Sequence, residues 1–181
     1  MAWALRLGLH IARRTAGITE DPRYAKLKRD WGSAAPRQLA RLLQMQALVS
    51  IPLGLGIVLA AHSPKPALGW QDLAGVAVFA AGLAGCAIAD GQLRAFARSG
   101  AGGVCDSGLW RWSRHPNYFF ECLLWFSYAL IAPAAGYPWG WLAMLAPACI
   151  TLLLTRISGI PPLEEHMLAK HGEAYRAYQH R

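Results

Sequence analysis

Charged and apolar residues fall in separate blocks along this chain and do not alternate. No Asp, Glu, Lys or Arg occurs in 42–61, 73–89 or 122–155, runs of 20, 17 and 34 residues. A helix that crosses a bilayer needs about 20 mostly apolar residues. The third run is too long for one helix, and Pro133 with the Gly136-Tyr137-Pro138 turn divides it. The pattern predicts four spanning helices, at about 39–61, 69–90, 118–135 and 138–156. The expected fold class is therefore all-α, a multi-pass transmembrane helix bundle. A cytoplasmic N-terminal segment, 1–38, precedes a membrane domain, 39–181, that ends in a cytoplasmic helix.

Local signals refine this outline. Residues 1–14 read as the end of a helix. Residues 15–38 form a polar, basic connector, broken by Pro22 and Pro36, with a short helix through 24–31. Pro52, Gly54 and Gly56 predict a kink in the first span. Gly82, Gly85 and Ala89 in the second are spaced as a close-packing face. Residues 91–117 read as a polar loop, and 163–178 as one helix with Leu163, Met167, Tyr175 and Tyr178 at helical spacing.

Charge gives an orientation. Nine of the 18 Lys and Arg precede the charge-free run of the first span, and only Lys65 lies between spans one and two. Arg94, Arg98, Arg111 and Arg114 lie between spans two and three, and the remaining four follow span four. Seventeen thus fall on one side, which the positive-inside rule makes cytoplasmic, with both termini there. Trp70, Tyr137, Trp139 and Trp141 suit the opposite interface. The net charge of +8 is accounted for by loops facing anionic lipid, so no nucleic-acid partner is implied.

Only 15% of the residues are charged, against about 25% in a soluble domain, while 55% are hydrophobic. That excludes a disordered chain or a rod and disfavours a soluble enzyme. Met1 to Ile11 does not read as a cleavable signal peptide, because it is short and Arg6 interrupts it. The expected setting is an integral membrane one, the inner (plasma) membrane if bacterial, with oligomeric state open. Cys86, Cys105, Cys122 and Cys149 show no CxxC or Cys/His pairing, so neither a metal site nor a disulfide framework is expected.

The densest polar cluster is Arg111, Arg114, His115, Asn117, Tyr118 and Glu121. Pro116 suits the first turn of a helix, with His115 or Asn117 as its cap. A helix N-terminus flanked by two arginines suits a phosphate or carboxylate, although Arg and Trp beside a span are also ordinary interface anchors. Glu121 lies one turn inside a membrane helix, where an ionisable group is a functional candidate. Asp90, with Gln92 and Arg94 behind it, stands at the matching end of span two. The two acids are expected to rim a polar cavity. Glu164, Glu165, His166 and His171 read as a solvated helix face.

The run from Gly108 to Glu121, GLWRWSRHPNYFFE, resembles the signature of a bacterial membrane family of formerly unknown function related to steroid 5-alpha-reductase. Asp90-x-Gln-Leu, Arg156-Ile-Ser-Gly-Ile-Pro-Pro-Leu-Glu164, and Glu20-Asp-Pro-Arg-Tyr24 with Trp31-Gly32 fit the same resemblance. It implies reduction of a carbon–carbon double bond conjugated to a ketone in a hydrophobic, steroid-like or isoprenoid substrate, with NADPH. It further implies that Asp90, Arg94, Arg111, Arg114, His115, Asn117, Tyr118 and Glu121 hold the dinucleotide, and that Glu164, Glu165 and Tyr175 close the pocket. It names no catalytic residue, and it implies that the chain is shortened at its N-terminus. Phe120 stands where such relatives carry Gly, which is expected to crowd the pocket. The Arg-His-Pro-x-Tyr core is also similar to isoprenylcysteine and phospholipid methyltransferases, which use S-adenosylmethionine. A truncated, non-catalytic membrane protein is the third reading.

Overall fold

The computed structural model describes residues 2–15 and 22–180. Glu20 and Asp21 of the connector motif lie outside the described residues. Among those described the chain is helical, without strands. It divides into two compact units, Met1–Ser50 and Ile51–Arg181. The first holds α1 (Ala2–Thr15), α2 (Pro22–Trp31) and the start of α3 (Ala35–Ala61). The second holds the rest of α3, with Pro52 inside it, then α4 (Trp70–Arg98), α5 (Pro116–Ile131), α6 (Leu145–Leu152), α7 (Ile160–His171) and α8 (Glu173–Gln179).

Three helical stretches are long and apolar enough to cross a membrane: Leu27–Ala61, Trp70–Arg98 and Pro138–His171. Helix α5 is shorter. Its 16 residues rise about 24 Å, less than the roughly 30 Å of a hydrocarbon core. It ends at Ile131, ahead of the expected 135, because Pro133 has no N–H to continue the ladder and restricts Ala132.

Helices α4 and α5 form an antiparallel pair, packed through the glycines of α4. A Cβ added at Gly82 would lie 2.8 Å from the Leu124 backbone nitrogen, and one at Gly75 would enter Ile131. Gly75, Gly82, Gly85, Cys86 and Ala89 are buried, while Leu73, Val76 and Ile88 on the same helix stay exposed. Small residues thus face the partner helix and large apolar ones face outward, the arrangement that lipid favours. A second apolar cluster joins Leu59, Ala129, Ala132 and Ala143.

Helix α4 continues to Arg98, two turns past the expected span, so 91–98 is helix and not loop. Gln92-Leu-Arg-Ala-Phe-Ala-Arg98 consists of helix-tolerant residues without proline. The rise in polarity marks where the surroundings change, not where hydrogen bonding ends. Gly100, at φ +68°, supplies the left-handed stop.

The stretch expected as one span at 138–156 changes pitch along its length. It is 3₁₀ over Pro138–Met144, α through α6, and π over Leu153–Ile157. Pro147 removes one helical donor and its ring collides with the carbonyl four residues back, so the stretch before it winds differently. The helix expected over 163–178 is two helices, broken at Gly172, whose φ of +53° suits glycine alone.

The two ends of the α4–α5 pair are both polar. At one, Lys65 Nζ donates to Asp72 Oδ1 at 2.7 Å and to the Ile131 carbonyl at 2.6 Å. Gly69 N–H donates to Asp72 Oδ2 at 2.9 Å, and Gln71 Nε2 to Pro133 O at 3.0 Å. Lys65, the one basic residue on its side of the charge pattern, therefore closes the C-terminus of α5. At the other end lies the candidate site.

Candidate functional site

The polar segment between α4 and α5 is drawn onto α4 before α5 begins. Gly108, at φ +60°, starts a 3₁₀ turn (Gly108–Arg111) against the Gln92 side chain. Leu109 N–H donates to Gln92 Oε1 at 2.9 Å, and buried Trp110 donates its indole N–H to Ala89 O at 2.9 Å. Gln92 is thus a fastening for the turn. This fixes where Arg111, Arg114 and His115 leave the backbone. Pro116 starts α5 as expected. His115 occupies the capping position, but neither its side chain nor that of Asn117 caps the helix.

The His115 ring turns toward α7 instead, because Glu164 offers a stronger acceptor. Glu164 Oε1 accepts from Arg114 Nε at 2.9 Å and from His115 Nε2 at 3.0 Å, and Oε2 accepts from Gln179 Nε2 at 3.0 Å. Arg114 Nη1 also donates to Gln179 O at 2.9 Å. The Tyr178 hydroxyl donates to Trp110 O, holding α8 on the 3₁₀ turn. The break at Gly172 is what folds α8 back so that Tyr175, Tyr178 and Gln179 reach this cluster.

The electrostatics fix the state of His115. Burial pushes its pKa below the ordinary value, and the Arg114 charge adds to this while Glu164 opposes it. A neutral ring whose Nε2–H donates to a carboxylate has its lone pair on Nδ1. That Nδ1 is buried and has no hydrogen-bond partner, on a side chain only 8% exposed. Asn117 Oδ1 is likewise buried and without a partner. The Tyr175 phenol is pushed up to about 12, by burial first and then by the Glu164 charge, so it stays a neutral donor.

Beside this cluster is a cleft of about 560 Å³. Arg111, Arg114, His115, Tyr118 and Phe119 line it, with Leu154 and Ile160 across from them. Asp90, Arg94, Asn117, Glu121, Glu164, Glu165 and Tyr175 do not line it. Helical spacing explains the split. His115, Tyr118, Phe119 and Cys122 follow i, i+3, i+4, i+7 and share the face turned to the cleft. Asn117, Phe120, Glu121 and Leu124 repeat the same spacing on the opposite face, turned to α4. There Glu121 Oε1 accepts from Trp125 Nε1 at 3.1 Å, and Cys86 Sγ lies 3.7 Å from Oε2.

Three expectations change accordingly. Asp90 and Glu121 do not line this cleft. The Phe120 ring does not crowd the cleft, because it fills the notch left by Gly85. The helix bearing Glu164 and Glu165 is not uniformly solvated: Glu164 turns in to three donors while Glu165 and His166 stay exposed. Of the expected residues, Arg114, His115, Glu164 and Tyr175 come together, with Arg111 and Tyr118 at the cleft. Asp90 is half-buried and Arg94 exposed on α4. Gln179 and Trp110 join the cluster without being among the expected site residues. Gln179 lies four residues past Tyr175, one helical turn on the same face, a signal present in the spacing.

The family model described as "Protein of unknown function (DUF1295)" matches residues 1–181. The chain belongs to this family. No curated protein and no solved structure matches it. The family match takes in both faces of α5 and the whole of the cleft, and it carries no stated reaction, so the chemistry must come from the geometry.

The geometry suits a phosphate-bearing, partly aromatic ligand. Arg111 makes no hydrogen bond or ion pair among the described residues, so its fork is available to an anion. His115 and Tyr118 stack at 5.4 Å with 13° between their planes, a flat wall for a ring. The unpartnered Nδ1 asks for a donor. No group of His, Cys, Asp and Glu among the described residues could hold a metal.

Proposed function

We propose that this chain is a multi-pass membrane oxidoreductase that reduces a conjugated carbon–carbon double bond of a hydrophobic enone with NADPH. In this reading α5 is a fourth, short span, both termini are cytoplasmic, and the cleft opens at the cytoplasmic face. The observation that carries it is an available Arg111 beside His115 in one cleft, with His115 Nδ1 buried just behind the lining and unpartnered. Those two residues fit the dinucleotide that the sequence resemblance implies.

Arg111, with Arg114 beside it, would hold the phosphates. His115 Nδ1 would accept from a ligand N–H or O–H, with Glu164 keeping the ring in the tautomer that can do so. Tyr118 would support a ring by stacking. Leu154 and Ile160 give the opposite wall an apolar character that would receive a hydrophobic substrate. NADPH, when bound, supplies a hydride. No residue is assigned a proton-transfer role.

The test is a fluorescence titration of the purified protein, using its eight tryptophans, with NADPH and separately with S-adenosylmethionine. Trp110 and Trp112 at the cleft make the signal local. Saturable quenching by NADPH alone is expected. Saturation by S-adenosylmethionine alone would replace the reading with a methyltransferase, and no saturation by either with a non-catalytic membrane protein.

A further inference from the structure

The cleft does not end at its apolar wall. Thr151 and Thr155 line it and also line a second groove of about 450 Å³, which runs on along α5 and α6. Phe126, Met144, Pro147, Ala148 and Leu152 make this groove apolar. All five lie in the 34-residue stretch without a charge, at the level where hydrocarbon would surround the bundle. Its one ionic member is Arg156, the first charge after that stretch. Arg156 is exposed and makes no hydrogen bond or ion pair among the described residues.

The backbone is unusual at the junction. Residues Leu153–Ile157 form a π turn, in which Ser158 N–H reaches Leu153 O at 2.8 Å, five residues back. Wide turns of this kind interrupt the regular ladder and are frequent at ligand sites. Here the turn follows Thr151 and contains Thr155, both shared by the two cavities, and Arg156, which lies at the groove's end. An open apolar groove with one unpaired cation at its end matches an amphiphile with one chain and an anionic head.

We propose that the groove binds the chain of a single-chain membrane lipid, with its carboxylate or phosphate head on Arg156. The proposal does not depend on which cofactor the neighbouring cleft accepts, so either can fail without the other.

Diazirine-bearing C16 probes test it on the full chain in detergent micelles. One carries a carboxylate head, one is the matching lysophosphatidate, and one is the uncharged methyl ester. After photolysis the labelled peptides are mapped. At least one anionic probe is expected to label 144–155 in preference to the ester. Arg156→Gln should lower that labelling by about fivefold, the loss of one charge-assisted contact. Ala148→Trp, at an exposed position that tolerates bulk, should block it while leaving circular dichroism unchanged. Labelling spread evenly over all apolar helices, or equal for acid and ester, or unaffected by both substitutions, would overturn the site and leave only annular lipid.

Discussion

The two ends of the α4–α5 pair use similar chemistry to opposite effect. At the Lys65 end, every group named is spent on the protein: the ammonium on Asp72 and a helix-terminal carbonyl, the amide of Gln71 on another. At the His115 end, Glu164 is fully used by Arg114, His115 and Gln179, yet Nδ1 of the same His115 is left over, and Arg111 stands open beside a cleft. Buried polar atoms are rarely left unpaired without a reason, because each costs about 1–3 kcal/mol. The Lys65 end, saturated in its ionic groups although Ser63 Oγ there is buried without a partner, is a structural clasp. In the proposed function, the other end is where a ligand completes the bonding.

The sharpest way to break this contrast is at Glu164. Glu164→Ala leaves a guanidinium and a buried imidazole without their acceptor, and should cost about 3 kcal/mol in stability, partial exposure of Arg114 keeping it from more. Thermal unfolding in detergent, followed by circular dichroism, should show the drop, with Glu164→Gln recovering part of it. Gly82→Val is expected to cost about 2 kcal/mol, because the nearest atom is Leu124 backbone, which cannot swing aside. It should loosen both ends together, seen as reduced hydrogen-exchange protection at Gly69 and at Leu109 alike. Asp72→Asn, at the saturated end, should cost about 1 kcal/mol and leave ligand affinity untouched.

Acidification should separate the ends more gently. His115 has a folded-state pKa below its ordinary value near 6.5, so the folded protein binds fewer protons there than the unfolded chain. The stability this reflects is present above that value and is lost as the pH falls through the ordinary range toward the folded pKa. The melting temperature should therefore decline from pH 7 to pH 5 in the wild type, and decline less in His115→Gln. Equal slopes would show that His115 is not the titrating group.

Much of this arrangement is visible in the residues. The Gly82, Gly85, Ala89 spacing announces a packing face, and that face meets α5. The compact Arg-His-Pro-Asn-Tyr motif points to the right end of the bundle, but reading it as one cluster joins residues that a helix sends to opposite faces. A helical period of 3.6 residues places His115 and Tyr118 apart from Asn117 and Glu121 on the sequence alone. The role of Glu164 as against Glu165 was not legible, since both sit on a polar stretch and only the fold-back at Gly172 decides which one meets Gln179. Nor was the extent of α4, because hydropathy reports surroundings and the helix runs on through polar residues to Arg98.

The most direct measurement is the affinity for NADPH of three proteins: wild type, Arg111→Gln at the open end, and Asp72→Asn at the closed end. The account predicts saturable binding that weakens about tenfold in Arg111→Gln, equivalent to ~1.4 kcal/mol, and is unchanged in Asp72→Asn. Equal affinity for wild type and Arg111→Gln would contradict it.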